Sequence, residues 1–182
     1  MKITIGGTPG SGKDTVANEL GKKLKFRVFC AGDFQRKIAE EKGMTILELA
    51  KVAETDPSID KKTDEWVEAI GEADENFIMV SRMGFNFIPD SVKIFLDVME
   101  EEGAKRIFKQ HREKETENVT PKDTLKGVKE RKALEKERYK KYYGIDVEDP
   151  KNYDLVIDTT NMTVHQVVEK ILKFLKEEHP EG

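Results

Sequence analysis

One segment near the start of the chain carries most of the information about its architecture: Ile3-Thr4-Ile5-Gly6-Gly7-Thr8-Pro9-Gly10-Ser11-Gly12-Lys13-Asp14-Thr15. A short β-branched run leads into Gly-x-x-x-x-Gly-Lys, and an amphipathic pattern with Val16, Leu20 and Leu24 on one side follows. This order of strand, glycine-rich loop and helix is typical of a P-loop (Walker A motif), whose backbone N–H groups surround phosphate oxygens. The segment therefore predicts binding of a nucleoside triphosphate.

One position of this loop departs from the usual pattern. Asp14 stands where a serine or threonine normally presents a hydroxyl to Mg²⁺. Because Mg²⁺ prefers hard oxygen ligands, Asp14 is a candidate Mg²⁺ ligand, directly or through water. The alternative is that Asp14 only stabilises the N-terminus of the helix. The residues expected around ATP in this loop are Gly7, Thr8, Pro9, Gly10, Ser11, Gly12, Lys13, Asp14 and Thr15.

Composition sets broad limits on the class of protein. The 182 residues, 37% hydrophobic and 37% charged, predict one compact domain with an ionised surface. A net charge of −4 argues against non-specific nucleic-acid binding, and the lone Cys30 excludes an intrachain disulfide or a cysteine-rich zinc site. Neither a secretory signal nor a membrane-spanning run is visible, so we expect a cytoplasmic protein with no membrane partner. We also expect a monomer.

Strands and helices alternate along the chain. Apolar runs predict strands at about 2–5, 27–30, 76–81, 92–98 and 153–158, with helices between them, Asp33 capping the second helix and a break near Thr120-Pro121. This alternation favours a parallel, doubly wound sheet. Ligands bind beyond the carboxyl ends of such strands, so the loops starting at Gly6, Ala31, Ser81 and Asp158 should surround one crevice.

Four further motifs accompany the P-loop. They are Gly32-Asp33-x-x-Arg36, Ser81-Arg82, the run Glu137-Arg138-Tyr139 with Tyr143-Gly144-Ile145-Asp146, and Tyr153-Asp154-Leu155-Val156-Ile157-Asp158-Thr159-Thr160. Together with the P-loop, they resemble the nucleoside monophosphate kinases, and most closely the short cytidylate kinases. The resemblance implies transfer of the γ-phosphoryl group of Mg·ATP to CMP or dCMP, with these nucleotides as the small-molecule partners.

The resemblance also implies a division of the chain. We expect a P-loop NTPase fold of the α/β class, a three-layer α/β/α sandwich around a five-stranded parallel sheet. Its core would comprise about 1–31, 74–100 and 144–182. A small acceptor-binding helical segment would occupy 32–73, and an arginine-bearing lid would occupy 101–143.

Arginines are the expected catalytic and acceptor-binding groups, because a guanidinium pairs bidentately with phosphate. Arg131 and Arg138 lie seven residues apart, so they share one helix face about 10 Å apart and could contact the donor and acceptor phosphates. Arg106 and Arg112, on the preceding helix, could converge from the opposite side. The predicted catalytic residues are Lys13, Arg112, Arg131 and Arg138. The family resemblance implies that Arg36 binds the acceptor phosphate and that Arg82 contributes to the same site; Asp33 and Arg106 complete the predicted acceptor-binding residues, as candidates for recognition of the base. Thr159 and Thr160 are expected to flank the adenine of ATP.

Each of these assignments has a simpler structural alternative. Arginines of the long helix could decorate a solvated Lys/Glu surface, and Asp33 with Arg36 could form only a cap and a surface ion pair. Thr159 and Thr160 could belong to an ordinary helix cap.

A second departure from the family pattern accompanies Asp14, since Val80 stands where relatives commonly carry an acidic residue. We hypothesise that the carboxylate has moved from the strand end to the P-loop, where Asp14 orients Mg²⁺.

Other functions fit less of the sequence. A related kinase could act on AMP, UMP or a nucleoside, and a nucleoside acceptor would need a general base such as Asp33. A guanine-binding switch protein would carry Asn-Lys-x-Asp, but Lys61-Lys62-Thr63-Asp64 lacks the asparagine. A non-catalytic nucleotide-binding protein would have no use for cations on the acceptor side.

Overall fold

The computed structural model of the chain describes residues 1–110 and 120–178. The five strands are β1 (Lys2–Gly7), β2 (Arg27–Cys30), β3 (Phe77–Val80), β4 (Val92–Asp97) and β5 (Leu155–Asp158). They form one parallel sheet in the order β2-β3-β1-β4-β5, which confirms the predicted parallel sheet. Every bound lies within two residues of its prediction, because each strand coincides with a β-branched or apolar run of the sequence.

Helices connect the strands and cover both faces of the sheet. They are α1 (Lys13–Leu24), α2 (Ala31–Glu41), α3 (Ile46–Ala53), α4 (Ser58–Ala73), α5 (Gly84–Phe87), α6 (Glu100–Lys109), α7 (Pro121–Tyr143) and α8 (Val164–Glu178). The short α5 and a 3₁₀ turn at Pro150–Asn152 are absent from the prediction. Among the described residues, no helix has the length and hydropathy needed to cross a membrane.

The predicted helix cap at Asp33 is wrong. Helix α2 begins directly after β2, with Cys30 in extended backbone at the N-cap position and no side-chain cap. Asp33 therefore lies inside the first turn, where it forms an ion pair with Arg36. An acidic residue in that turn still interacts favourably with the helix dipole.

The sheet is sandwiched between two helical layers. On one face, Val16 and Leu20 of α1 and Val167 and Ile171 of α8 pack against fully buried strand residues such as Ile3. On the other face, α2, α4 and α5 pack on the outer part of the sheet in a cluster that includes Val67, Phe77 and Ile88. Helix α7 completes that layer through a third cluster, in which Tyr139 packs with Phe85 and Val147. This is the predicted three-layer α/β/α arrangement.

Candidate active site

A cavity of about 370 Å³ lies at the carboxyl ends of the strands, between the P-loop, the 32–73 helices and α7. This volume is within the usual range for small-molecule sites. All four loops expected around one crevice contribute to its wall. The wall contains these residues predicted from the sequence: Pro9, Gly10, Ser11, Gly12, Lys13, Asp14, Thr15, Arg36, Arg82, Arg106, Arg131 and Thr159.

The P-loop depends on two glycines with positive φ. Gly10 has φ 78° and Gly12 has φ 84°, a left-handed conformation that other residues adopt only with strain. At Gly10 a Cβ atom would also lie 2.3 Å from the carbonyl oxygen of Gly103, so α6 can approach the loop only because both residues are glycines. The loop ends at the N-terminus of α1, where an anion is favoured. The buried hydroxyl of Ser11 has no hydrogen-bond partner among the described residues.

Lys13 and Asp14 lie side by side at the start of α1. Burial lowers the pKa of Lys13 to about 8; the charge of Asp14 opposes this shift, whereas Arg82 and Arg131 add to it. The Asp14 carboxylate accepts a hydrogen bond from the Cys30 thiol at 3.4 Å. Burial and the neighbouring carboxylates raise the pKa of Cys30 to about 12, so this thiol stays protonated and unreactive.

Three charged side chains form a bridge beside Lys13. Glu135 of α7 is 4% exposed and forms ion pairs with two arginines of the cavity wall. Its Oε1 accepts from Nε of Arg131 at 2.9 Å, one helical turn earlier, and its Oε2 pairs with Nη1 of Arg82. Arg82 follows β3, so the bridge joins α7 to the sheet. Burial lowers the pKa of Arg82, because its guanidinium cation loses contact with water.

Arg138 occupies a separate position behind the cavity. Its Nε donates to Oδ2 of Asp60 at 2.6 Å, and both side chains are 3% exposed. Its Nη1 donates to the carbonyl oxygen of Ala50 at 3.2 Å. Arg138 therefore ties α7 to α3 and α4, whereas Asp60 itself borders the cavity. The sequence predicts Arg138 as a catalytic residue, but it does not line the cavity wall.

A second carboxylate of α4 lies next to this ion pair. Asp64 borders the cavity and accepts a hydrogen bond from the Tyr143 hydroxyl. Burial raises the pKa of Asp64 to about 6; Tyr143 opposes the shift and the charge of Asp60 adds to it. Asp60 and Asp64 thus place two acceptor-rich side chains in one part of the wall.

Arg106 borders the cavity and lies against the loop that follows β5. Its guanidinium donates to the carbonyl oxygens of Thr159 at 2.9 Å and Thr160 at 3.0 Å. The Thr159 hydroxyl also lies within hydrogen-bond distance of the carbonyl oxygens of Ser11 and Asp97. These contacts join α6, the P-loop and the loop after β5 around the part of the cavity predicted to hold ATP.

Some predicted residues do not border the cavity. The Thr8 hydroxyl points away and donates to Asp97 at 3.0 Å, and the Thr160 hydroxyl bonds to Asp158 at 2.6 Å. The Asp33 side chain is 72% exposed. The residues absent from the wall are Gly7, Thr8, Asp33, Arg138 and Thr160, and Arg112 lies outside the described residues. No group of three or more His, Cys, Asp or Glu side chains within 1–110 and 120–178 is arranged to hold a metal.

Sequence reasoning missed Glu135, Asp60 and Asp64. For Glu135 a signal exists, because it lies four residues after Arg131 and three before Arg138, on the same helix face. Asp60 and Asp64 share a face of α4 as well, but nothing in the sequence distinguishes them from the other acidic residues of that helix.

Known proteins match the chain in sequence and in fold, under more than one name. A model of the cytidylate kinase-like family matches residues 2–161. The cytidylate kinase of Methanocella arvoryzae is 37% identical over 177 residues, covering 97% of this chain and 98% of that protein. An S-adenosylmethionine-dependent nucleotide dehydratase of Lacinutrix mariniflava is 34% identical over 173 residues, which cover 94% of this chain but 35% of that protein. Shikimate kinase from Acinetobacter baumannii shares the fold, with a TM-score of 0.64 at 13% identity over 98% of this chain and 94% of that one.

Proposed function

Because the chain belongs to the cytidylate kinase-like family, we propose that it transfers the γ-phosphoryl group of ATP to CMP or dCMP, giving ADP and the diphosphate. The family match confirms the resemblance to the nucleoside monophosphate kinases. One observation carries the proposal: Lys13, Arg82 and Arg131 border the same cavity, between a P-loop and a group of helices that also contributes Arg36. Phosphoryl transfer requires this convergence of cations more than any covalent chemistry by the protein.

ATP would occupy the half of the cavity formed by the P-loop and the loop after β5. The P-loop N–H groups and Lys13 would hold the phosphates, and the orphan hydroxyl of Ser11 is a further donor for them. Arg106 joins this half through its bonds to Thr159 and Thr160. We therefore assign Arg106 to the donor side and not, as the sequence predicts, to the acceptor side.

The acceptor would lie towards α2 and α4. Arg36 and Arg82 border this half and provide planar, bidentate partners for its phosphate. The carboxylates of Asp60 and Asp64 would face a base that carries N–H donors. Cytosine presents an exocyclic amine, whereas uracil presents a carbonyl oxygen at the same position, which these carboxylates would repel. The electrostatics of this wall therefore favour CMP over UMP.

The transfer itself needs no general base, because the attacking phosphate oxygen of the acceptor is already anionic. Lys13 and Arg131 would stabilise the charge that spreads over the γ-phosphoryl oxygens in the transition state. Closure of the region around α6 and α7 would exclude water, which would otherwise hydrolyse ATP.

A magnesium ion fits the donor set of this site. Mg²⁺ that accompanies a nucleotide is usually held by phosphate oxygens, waters and one or two carboxylates, and Asp14 supplies one carboxylate in the cavity wall. Asp14 would hold the ion directly or through water, because Val80 contributes no carboxylate from β3. The ion would neutralise the charge of the β- and γ-phosphates.

The proposal is tested by measuring ADP formation from Mg·ATP with CMP, dCMP, UMP, AMP and cytidine offered separately. We expect turnover with CMP or dCMP to exceed that with UMP by at least about tenfold, the cost of one unpaired buried polar group. Preference for AMP or cytidine would assign a different acceptor. Absence of turnover with every acceptor, together with tight ATP binding, would indicate a nucleotide-binding protein without kinase activity.

Asp14 should make ATP binding depend unusually strongly on Mg²⁺. Without the metal, its carboxylate repels the triphosphate, an effect of about 1–2 kcal/mol at a partly solvated site. We therefore expect Asp14→Asn and Asp14→Ser to bind metal-free ATP about tenfold more tightly than the unmodified protein, and to gain less affinity when Mg²⁺ is added. Isothermal titration calorimetry with and without Mg²⁺ measures both quantities.

Glu19→Gln is the matched control, because Glu19 is a partly exposed carboxylate on the same helix, paired with Lys22 at 2.6 Å. It should leave the Mg²⁺ dependence unchanged. If Asp14→Asn also leaves it unchanged, Asp14 serves only the helix N-terminus.

A further inference from the structure

Glu135 is the most completely buried carboxylate that contacts the arginines of the cavity. The residue is 4% exposed, and each of its two carboxylate oxygens forms an ion pair with one arginine, Arg82 or Arg131. A carboxylate at this depth is retained at low cost only when both oxygens are paired. The burial of the Glu135 carboxylate therefore depends on its pairing with both Arg82 and Arg131.

Glu135 contacts these arginines from behind. Both guanidinium groups border the 370 Å³ cavity, whereas Glu135 does not; it borders two small clefts on other sides of the same arginines. A nucleotide in the cavity would thus meet Arg82 and Arg131 without displacing Glu135. The carboxylate is a support for these side chains and not a competitor for phosphate.

The arginines need such support for an electrostatic reason. Lys13, Arg82 and Arg131 are close enough that both arginines lower the pKa of Lys13, and burial lowers the pKa of Arg82. Without a ligand, like charges in a partly dry site repel and move long side chains apart. A carboxylate bound to both arginines offsets this repulsion and fixes their separation.

The bridge also joins parts of the chain that are distant in sequence. Arg82 is anchored at the end of β3, whereas Arg131 belongs to α7, in the region predicted as a lid. Glu135 reaches Arg131 along one turn of α7 and Arg82 across the gap to the sheet. Tyr139 and Arg138 also attach α7 to the rest of the fold, and Glu135 adds the contact that links the Arg131 side chain directly to Arg82.

We infer that Glu135 is a positioning residue for phosphoryl transfer, which holds Arg82 and Arg131 side by side at the phosphates. The inference rests on the proposed kinase function. The glutamate does not touch the substrate; it acts through the two arginines, and its contribution vanishes when they are removed.

Glu135→Gln tests this role because it keeps the shape of the side chain and removes its charge. We expect kcat with the preferred acceptor to fall by about tenfold to a hundredfold, since displacement of a catalytic group by about 1 Å has effects of this size. KM for ATP should change less than threefold. Glu135→Asp restores the charge and should recover part of the lost kcat. Glu137→Gln, an exposed carboxylate two residues along α7, is the matched control and should behave as the unmodified protein.

A double variant separates positioning from a purely structural role. If Glu135 acts through Arg131, then Glu135→Gln should lower kcat less than threefold in a protein that already carries Arg131→Gln. Additive losses in kcat, or a lower melting temperature with unchanged kcat, would overturn the inference.

Failure of the proposed kinase function can be distinguished from failure of the inference about Glu135. If the unmodified protein phosphorylates no acceptor, the proposed function is rejected, and binding of CMP and ADP by calorimetry decides the role of Glu135. In that case we expect Glu135→Gln, but not Glu137→Gln, to weaken CMP binding about tenfold. Equal CMP affinity of the two variants would contradict the inference.

Discussion

Replacement of Lys13 by methionine is expected to lower kcat for phosphoryl transfer by about a thousandfold, the upper range for loss of one group that stabilises transition-state charge. Methionine keeps the length and the unbranched shape of the side chain but removes the ammonium. The charge at the transferring phosphoryl group would then be stabilised without an ammonium, by Arg131, the P-loop N–H groups and the ion that accompanies ATP. A coupled assay of ADP formation measures the loss.

The same variant should not be less stable. The pKa of Lys13 in the folded protein, about 8, lies below its ordinary value of 10.5. The folded state therefore binds this proton more weakly than the unfolded state, and the charged lysine destabilises the fold at pH 7. That effect is relieved as the pH rises from about 8 towards 10.5. Lys13→Met should consequently melt at the same temperature as the unmodified protein or slightly higher at pH 7.

A pH profile provides an independent check on Lys13. In the free enzyme its ammonium faces Asp14, Arg82, Arg131 and Cys30, and it loses its proton above about pH 8. The value of kcat/KM for ATP should therefore fall as the pH rises through 8. Lys22→Met, at an exposed position on the same helix, is the control and should retain both the activity and this profile. Residual activity of Lys13→Met within tenfold of the unmodified protein would contradict the role of Lys13.

The parts of the fold that local sequence determines could be predicted. A strand buried on both faces needs a continuous apolar run, and the P-loop needs glycines at positions with positive φ such as Gly10 and Gly12. Both requirements concern residues that are close together in the sequence, so they can be recognised without knowledge of the fold. The position of the cavity then follows from the rule for parallel sheets, because the carboxyl ends of the strands meet at one edge, whereas the order of the strands was not predicted.

The parts that depend on which helices meet could not be predicted in the same way. Arg106 and Arg138 look alike in sequence, as arginines on charged helices. In the folded chain Arg106 donates to the carbonyl oxygens after β5. Arg138 donates to Asp60, which lies 78 positions earlier in the chain. The spacing of Glu135 from Arg131 gives a local signal, but its pairing with Arg82, which follows β3, gives none. Long-range ion pairs of this kind are set by packing and leave no periodic signal.

Arg138→Met is expected to lower the free energy of unfolding by about 3 kcal/mol, because it leaves the carboxylate of Asp60 buried without its partner. For a chain of this size the melting temperature should fall by about 6–12 °C. Burial already raises the pKa of Asp60, although Arg138 opposes this shift, so the loss of the arginine should raise that pKa further. Thermal unfolding followed by circular dichroism measures the effect.

Two control variants show whether the loss of stability in Arg138→Met comes from the buried ion pair with Asp60. Arg27→Met breaks an ion pair with Asp74 whose arginine is 72% exposed, and it should cost less than about 1 kcal/mol. Arg138→Lys keeps a cation beside Asp60. If Arg138 is an anchor between α7 and α4, this variant should retain most of the stability and keep kcat within threefold. A hundredfold loss of kcat in a fully folded Arg138→Lys protein would instead support the catalytic role predicted from the sequence, because lysine cannot reproduce bidentate contact with a phosphate.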